Sequence, residues 1–185
     1  PNAGVCPFMG TANTMCAFAE VLGLSPDGNA SVRAQSPQWR QMAVEAARKI
    51  VELVKDEVRP LSRIGRASFE NAIRYVMATG GSTNSILHIP AVAAQAGISI
   101  TPDMFDEISR KTPLISAIYP NHPSYTMADF SAAGGLSTVI RELAKAGAWD
   151  TSTVGMFDTM QEKIAKAHDS AHDVIRSVQN AISPE

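Results

Sequence analysis

Cys6 is the residue best suited to chemistry in this chain. It stands in a loop punctuated by Gly4, Pro7 and Gly10, directly before a run of helix-forming residues. The partial positive charge of a helix start favours thiolate over thiol, and a thiolate is both a nucleophile and a soft-metal ligand. The competing reading is a buried cysteine that serves as a small hydrophobe, the commoner state of a free thiol. Cys16, among Met15, Ala17 and Phe18, reads as core.

A second group is Ala78-Thr79-Gly80-Gly81-Ser82-Thr83-Asn84. Glycines ahead of a helix start, followed by hydroxyls and an amide, can build an anion pocket from the free N–H groups of Thr83, Asn84 and Ser85. The same residues also make a plain helix-to-helix turn with Ser82 as cap. No Gly-Lys-Ser/Thr follows, so this is not a Walker A loop, and no strand precedes it, so it is not a dinucleotide fingerprint. His88 reads as a satisfied core histidine. His168 and His172 have the helical spacing of a zinc chelate, but no third ligand accompanies them and the helix fades there, so no metal is assigned. Arg59, Arg63 and Arg66 read as a solvated loop.

The elements that position these groups are mostly helices. Expected are helices over 11–22, 37–58, 67–79, 82–95, 102–109, 135–145 and 157–168. Their punctuation is Ser36-Pro37, Thr101-Pro102, and Gly23, Gly97 and Gly147 as stops. Thr126-Met127-Ala128-Asp129 is a capping box with Asp in place of Glu. In the helix from Pro37, Met42, Ala46, Ile50, Leu53 and Val54 form one apolar stripe that should face inward. The helix from Ser82 to Gln95 carries no charge, so it should be buried nearly all round, with Pro90 able to kink it. Ile98–Ile100 and Leu114–Tyr119 are the strand candidates, and the tail from Asp173 looks extended. The fold class is α/β and helix-dominated, about half helix or more, with a few short strands.

Composition bounds the function. Of 185 residues, 45 % are hydrophobic, so a packed core is expected. Sixteen Lys+Arg against 18 Asp+Glu give a net charge of −2, which argues against nucleic acid as a partner. The charged fraction, 18 %, is low, which suggests that a further domain or subunit covers part of the surface. The longest apolar run, Ile86 to Ala94, is too short for a membrane span and is broken by His88 and Pro90. Two cysteines make no disulfide framework, so a cytoplasmic setting is the expectation. Both ends read as cuts inside a longer polypeptide.

Five blocks occur in a telling order: Gly4-Val5-Cys6 with Met9-Gly10-Thr11-Ala12-Asn13-Thr14-Met15; Glu20-Val21-Leu22-Gly23-Leu24; Ser68-Phe69-Glu70-Asn71-Ala72; Gly80-Gly81-Ser82-Thr83-Asn84 with Leu87-His88; and Met127-Ala128-Asp129-Phe130 with Ala133-Gly134-Gly135. Together they resemble the dihydroxy-acid and phosphogluconate dehydratase family of iron–sulfur enzymes, over essentially the whole chain. The resemblance implies that residues 1–185 are part of an N-terminal domain that holds an iron–sulfur cluster and magnesium, with a C-terminal β-barrel domain absent here. It implies that Cys6 is the last of the cluster-ligating cysteines. The other cysteines, the acidic magnesium ligands and the catalytic serine would lie outside this chain. The implied reaction removes water from a 2,3-dihydroxy acid or sugar acid to give a 2-oxo acid. The cluster, [2Fe–2S] or [4Fe–4S], would act as Lewis acid. Ser82, Thr83 and Asn84 are expected to line the substrate pocket. Pro7-Phe8 after the cysteine, and Gly10 where some members carry an aromatic, depart from the commonest family form. The expected partners are a small hydroxy acid and, at full length, a second copy of the chain. The alternative is a helical scaffold that kept the motifs without the chemistry.

Overall fold

The computed structural model describes residues 5–167 and 173–184. Eight helices follow one another among the described residues: α1 (Thr11–Val21), α2 (Pro37–Lys55), α3 (Arg66–Thr79), α4 (Ser85–Gln95), α5 (Pro102–Ser109), α6 (Met127–Ala132), α7 (Gly135–Lys145) and α8 (Met160–Lys166). Helix-dominated architecture is therefore observed.

The local signals work as expected at most starts. Ser36 caps α2 by accepting from the Trp39 N–H at 3.1 Å, with Pro37 at the first helical position. Asp129 accepts from the Thr126 N–H at 2.7 Å and closes the box that opens α6. The N–H and O–H donors of Thr126 hold the Asp129 carboxyl below its ordinary range. A similar box, Thr159 with Glu162, opens α8.

α3 is the central element and touches α1, α4, α5 and α7. Phe69, Ile73, Tyr75 and Val76 are buried on it. At roughly 2 kcal/mol per large side chain, that burial outweighs the few tenths of a kcal/mol that β-branched and aromatic residues cost in a helix. Gly80 ends α3 with φ +59°, in the left-handed region that glycine reaches freely. Asn71 of α3 is fully enclosed and pairs with both backbone groups of one residue, donating to the Asp150 carbonyl at 2.8 Å and accepting from the Asp150 N–H at 3.0 Å. This fixes the loop after α7.

The strand expectations need correction. Residues 98–100 are irregular, and Leu114 and Ser116 form only isolated antiparallel bridges, to Ser183 and Ile175. The reason lies in the amides of Ile115 and Ser116, which both bond to the Ala78 carbonyl at 2.9 and 3.0 Å. The extended segment thus satisfies the end of α3 and does not build a ladder. The tail from Asp173 does run back along it, with the Arg176 N–H on the Ile115 carbonyl at 2.8 Å.

Two helices are less covered than their sequences suggest. On α2 only Met42 is buried, and Ile50 and Val54 of the expected inward stripe are 59 % and 72 % exposed. On α4, Ser85, Ile89 and Ala93 are buried while Ile86, Leu87 and Val92 face outward. His88 is exposed, so it is not a core histidine. Pro90 sits within α4. The last helix ends at Lys166, and His168 and His172 lie outside the described residues.

Distant parts of the chain meet under α1. Gly23 has φ +70°, and a Cβ there would lie 2.2 Å from the Gly155 Cα. The Met156 N–H bonds to the Gly23 carbonyl at 2.9 Å, so the two backbones cross in contact.

Candidate functional site

The loop that carries Cys6 is fixed from two sides before it enters α1. Met127 donates its N–H to the Pro7 carbonyl, and Met9 donates to the Tyr119 carbonyl, both at 2.9 Å. The Phe8 ring meets Tyr119 edge to face at 5.9 Å. A Cβ on Gly10 would lie 2.7 Å from Phe8 Cε2, so the glycine leaves room for that ring to fold over the helix start.

Asn13, in the first turn of α1, is fully buried. Its Nδ2 donates to the Cys6 carbonyl at 2.8 Å, to the Phe8 carbonyl at 2.8 Å and to the Cys6 Sγ at 3.3 Å. Its Oδ1 accepts from the Val5 N–H at 3.3 Å. One carboxamide therefore organises residues 5–8. The Cys6 thiol is half-buried and donates to the Phe8 carbonyl at 3.3 Å.

The Gly80-Gly81-Ser82 turn comes to the same helix start. The Ser82 N–H bonds to Thr14 Oγ1 at 3.0 Å, Ser82 Oγ and Thr11 Oγ1 share a hydrogen bond at 3.0 Å, and Asn84 Nδ2 donates to Thr11 Oγ1 at 2.7 Å. A Cβ on Gly81 would sit 3.1 Å from Thr14 Cγ2, so the close approach of turn and helix uses the missing side chain. Thr11 and Asn13 are two positions apart, hence about 200° apart around the helix. Thr14, which also holds the turn, lies about 100° from Asn13, so the turn and the Cys6 loop attach to different flanks of one helix end.

Two details differ from expectation. The helix begins at Ser85, after Asn84, not at Ser82. The Asn84 N–H is bonded to Ser82 Oγ at 3.3 Å and the Ser85 N–H to the Ser82 carbonyl at 3.0 Å, so two of the three expected anion donors are already used. Ser82 and Thr83 line an open groove of about 700 Å³ together with Gly80, Gly81, Asp106 and Arg110. Cys6 and Asn84 are not part of its lining. Cys16 lines a smaller hollow of about 410 Å³ with Val5, Ala30 and Trp39. Burial pushes the Cys16 thiol up from its ordinary value, and the negative potential of Glu20 and Cys6 adds to this.

Behind the site, Glu20 of α1 is fully enclosed. Its two carboxylate oxygens accept from the Gly28 and Ala30 N–H groups, each at 2.8 Å. Lys163 of α8, also buried, donates to the Glu20 backbone carbonyl at 2.9 Å. Burial raises the Glu20 carboxyl from 4.5 to about 7, against the opposing pull of Lys163 and the two N–H donors. Burial likewise raises the Tyr75 phenol.

Asn13, Thr11 and Thr14 do not stand out by residue chemistry, although they lie within the motif block. A polar residue in the first turn of a helix that follows a cysteine-bearing loop is the signal that points to them. Among the described residues no three His, Cys, Asp or Glu gather as a metal site, and no helix is long and apolar enough to cross a membrane.

A half-buried thiol thus sits in the loop ahead of α1, in contact with a buried amide and backed by a helical core. The chain belongs to the dihydroxy-acid/6-phosphogluconate dehydratase family, whose N-terminal model matches residues 1–178. Dihydroxy-acid dehydratases from Thermodesulfovibrio yellowstonii, Endomicrobium trichonymphae and Hydrogenobaculum sp. are 42 %, 40 % and 38 % identical to it over 185, 185 and 186 residues. All of this chain is covered in each case, and it spans 33 % of the length of these relatives.

Proposed function

We propose that the chain is the thiol-bearing part of a hydro-lyase that removes water from a 2,3-dihydroxy acid or sugar acid to give a 2-oxo acid. The observation that carries this reading is the Cys6 loop in a chain of this family. Its sulfur is free, half-buried and oriented by Asn13 at the start of α1. That donor set fits one corner of an iron–sulfur cluster, since a thiolate is the ligand such clusters require. The cluster supplies an iron that acts as Lewis acid toward the leaving hydroxyl.

The chain's own residues hold and orient. Cys6 contributes one ligand. Asn13 keeps the loop in shape. Ser82 and Thr83 offer hydroxyls at the groove, while Asn84 is turned onto Thr11 and serves the turn. Magnesium belongs to this reading, but none of the described residues is assigned to it. The remaining cysteines, the acid–base group and a second, barrel-like domain are placed in the rest of a longer polypeptide. In this reading the protein works in the cytoplasm on a small hydroxy acid, as a homo-oligomer at full length.

The test uses the full-length polypeptide. Cys6→Ser loses most cluster iron and all dehydratase activity, because a hydroxyl is a poor soft-metal ligand. Cys16→Ser keeps its iron. A full cluster in both variants would overturn the ligand assignment, whereas a full-length polypeptide without further cysteines ahead of Cys6 would favour the helical scaffold.

A further inference from the structure

We infer that Asn13 is the positioning residue of the Cys6 sulfur: its side-chain amide is the N–H···S donor that a metal-bound thiolate at this position requires. This rests on the reading of Cys6 as a cluster ligand.

The geometry is specific. Nδ2 carries two protons and faces three acceptors: two carbonyls at 2.8 Å and the Cys6 Sγ at 3.3 Å. In the thiol form the sulfur is itself a donor, to the Phe8 carbonyl at 3.3 Å. The sulfur and Nδ2 therefore lean on the same carbonyl. When the sulfur binds a metal, the S–H proton leaves and that bond is lost. The sulfur then carries more negative charge and is a better acceptor, and the one amide already within 3.3 Å is Asn13. One of the two amide protons is then shared between the Phe8 carbonyl and the sulfur.

Asn13 is suited to this in a way that no exposed donor is. It has 0 % exposure, so water does not compete for its protons. Its Oδ1 is held by the Val5 N–H, which fixes which end of the carboxamide faces the sulfur. The bond also links ligand geometry to the helix, because Asn13 sits in the first turn of α1 and Cys6 lies in the preceding loop. Hydrogen bonds to cluster sulfurs draw electron density from the iron and raise the reduction potential.

The experiment uses cluster-loaded full-length protein, read by iron content, visible absorption, reduction potential and the Fe–S(Cys) stretch in H2O and D2O. The unaltered protein shows a deuterium shift of one Fe–S(Cys) mode. Asn13→Asp, which has the same shape and no N–H, loses that shift, lowers the potential and releases iron to a chelator several-fold faster. Asn13→Gln, which keeps a donor on a longer stem, restores part of the iron retention. Should Asn13→Asp fail to fold, the deuterium shift of the unaltered protein and its change in Asn13→Gln decide the matter alone. Absence of any deuterium shift, or an unchanged potential and iron release in Asn13→Asp, overturns the role of Asn13. Those outcomes leave the ligand assignment intact if Cys6→Ser still loses its iron. If Cys6→Ser keeps its iron, the underlying reading fails and not merely this extension of it.

Discussion

Replacing Glu20 by Gln should remove a pH dependence that the buried carboxylate imposes on folding. In the folded chain burial raises this carboxyl to about 7, whereas in the unfolded chain it titrates near 4.5. Below pH 4.5 both states are protonated and the full stabilisation of the protonated, folded carboxyl is present. As pH rises, the unfolded chain ionises first, and the stabilisation is lost until the folded carboxyl ionises near pH 7. Above that the two states change together. A tenfold difference in proton affinity between the two states is worth roughly 1.4 kcal/mol, so the total is about 3 kcal/mol. The group is fully enclosed, so solvent screening does not reduce this figure. It is a large share of the roughly 5–15 kcal/mol that usually separates folded from unfolded states. Glu20→Gln keeps one acceptor oxygen and turns an NH2 toward the second loop N–H, a cost of about 1–3 kcal/mol at every pH. Urea unfolding followed by circular dichroism, at steps from pH 5 to pH 8, should show the unaltered chain losing stability and the variant losing less, by most of that difference. Parallel pH profiles for the two proteins would refute the reasoning. A profile for the unaltered chain that rises over this range more steeply than the variant's would refute it equally.

Asn71→Ala removes both bonds to the Asp150 backbone and should cost about 2–4 kcal/mol in urea unfolding, since buried partners are left unpaired. Gly155→Ala puts a Cβ 3.0 Å from the Gly23 Cα and 3.1 Å from the Asp158 carbonyl, both backbone atoms, and should lower stability by about 1–3 kcal/mol in the same assay. The chain prepared alone and treated with iron and sulfide should stay colourless, because one thiolate cannot hold a cluster; a brown, iron-containing product would count against the assignment.

Local rules were legible where the neighbourhood agreed with them. Ser36-Pro37, Thr101-Pro102 and the Thr126–Asp129 box each mark a helix start within a residue. Ser82 is tied to α1 through Thr14 and Thr11 and also accepts the Asn84 and Ser85 N–H groups, so it closes a turn ahead of the helix, which starts at Ser85. Leu114–Tyr119 failed as a strand because its amides serve the end of α3. The apolar stripe of α2 and the lack of charge on α4 were legible, but an apolar face in the sequence does not say that this chain covers it. Ile50 and Val54 of α2 and Ile86, Leu87 and Val92 of α4 are apolar and exposed. At the candidate site, the thiol was legible from residue type and spacing. The amide that orients it was not, because a buried asparagine has no periodicity to betray it.

The bond from Lys163 to the Glu20 carbonyl spans 143 residues, and the contact of Gly23 with Met156 spans nearly as many. Synthesis proceeds from the N-terminus, so α1 leaves the ribosome long before either partner exists. Until α8 emerges, the inner side of α1 has no roof, and Glu20 stays in water as an ordinary acid. The loop that carries Cys6 closes only once Tyr119 and Met127 have emerged, and the helix it leans on is sealed later still. Any truncation ahead of Lys163 therefore leaves the thiol on an unfinished support, even though its orienting amide, Asn13, is already present.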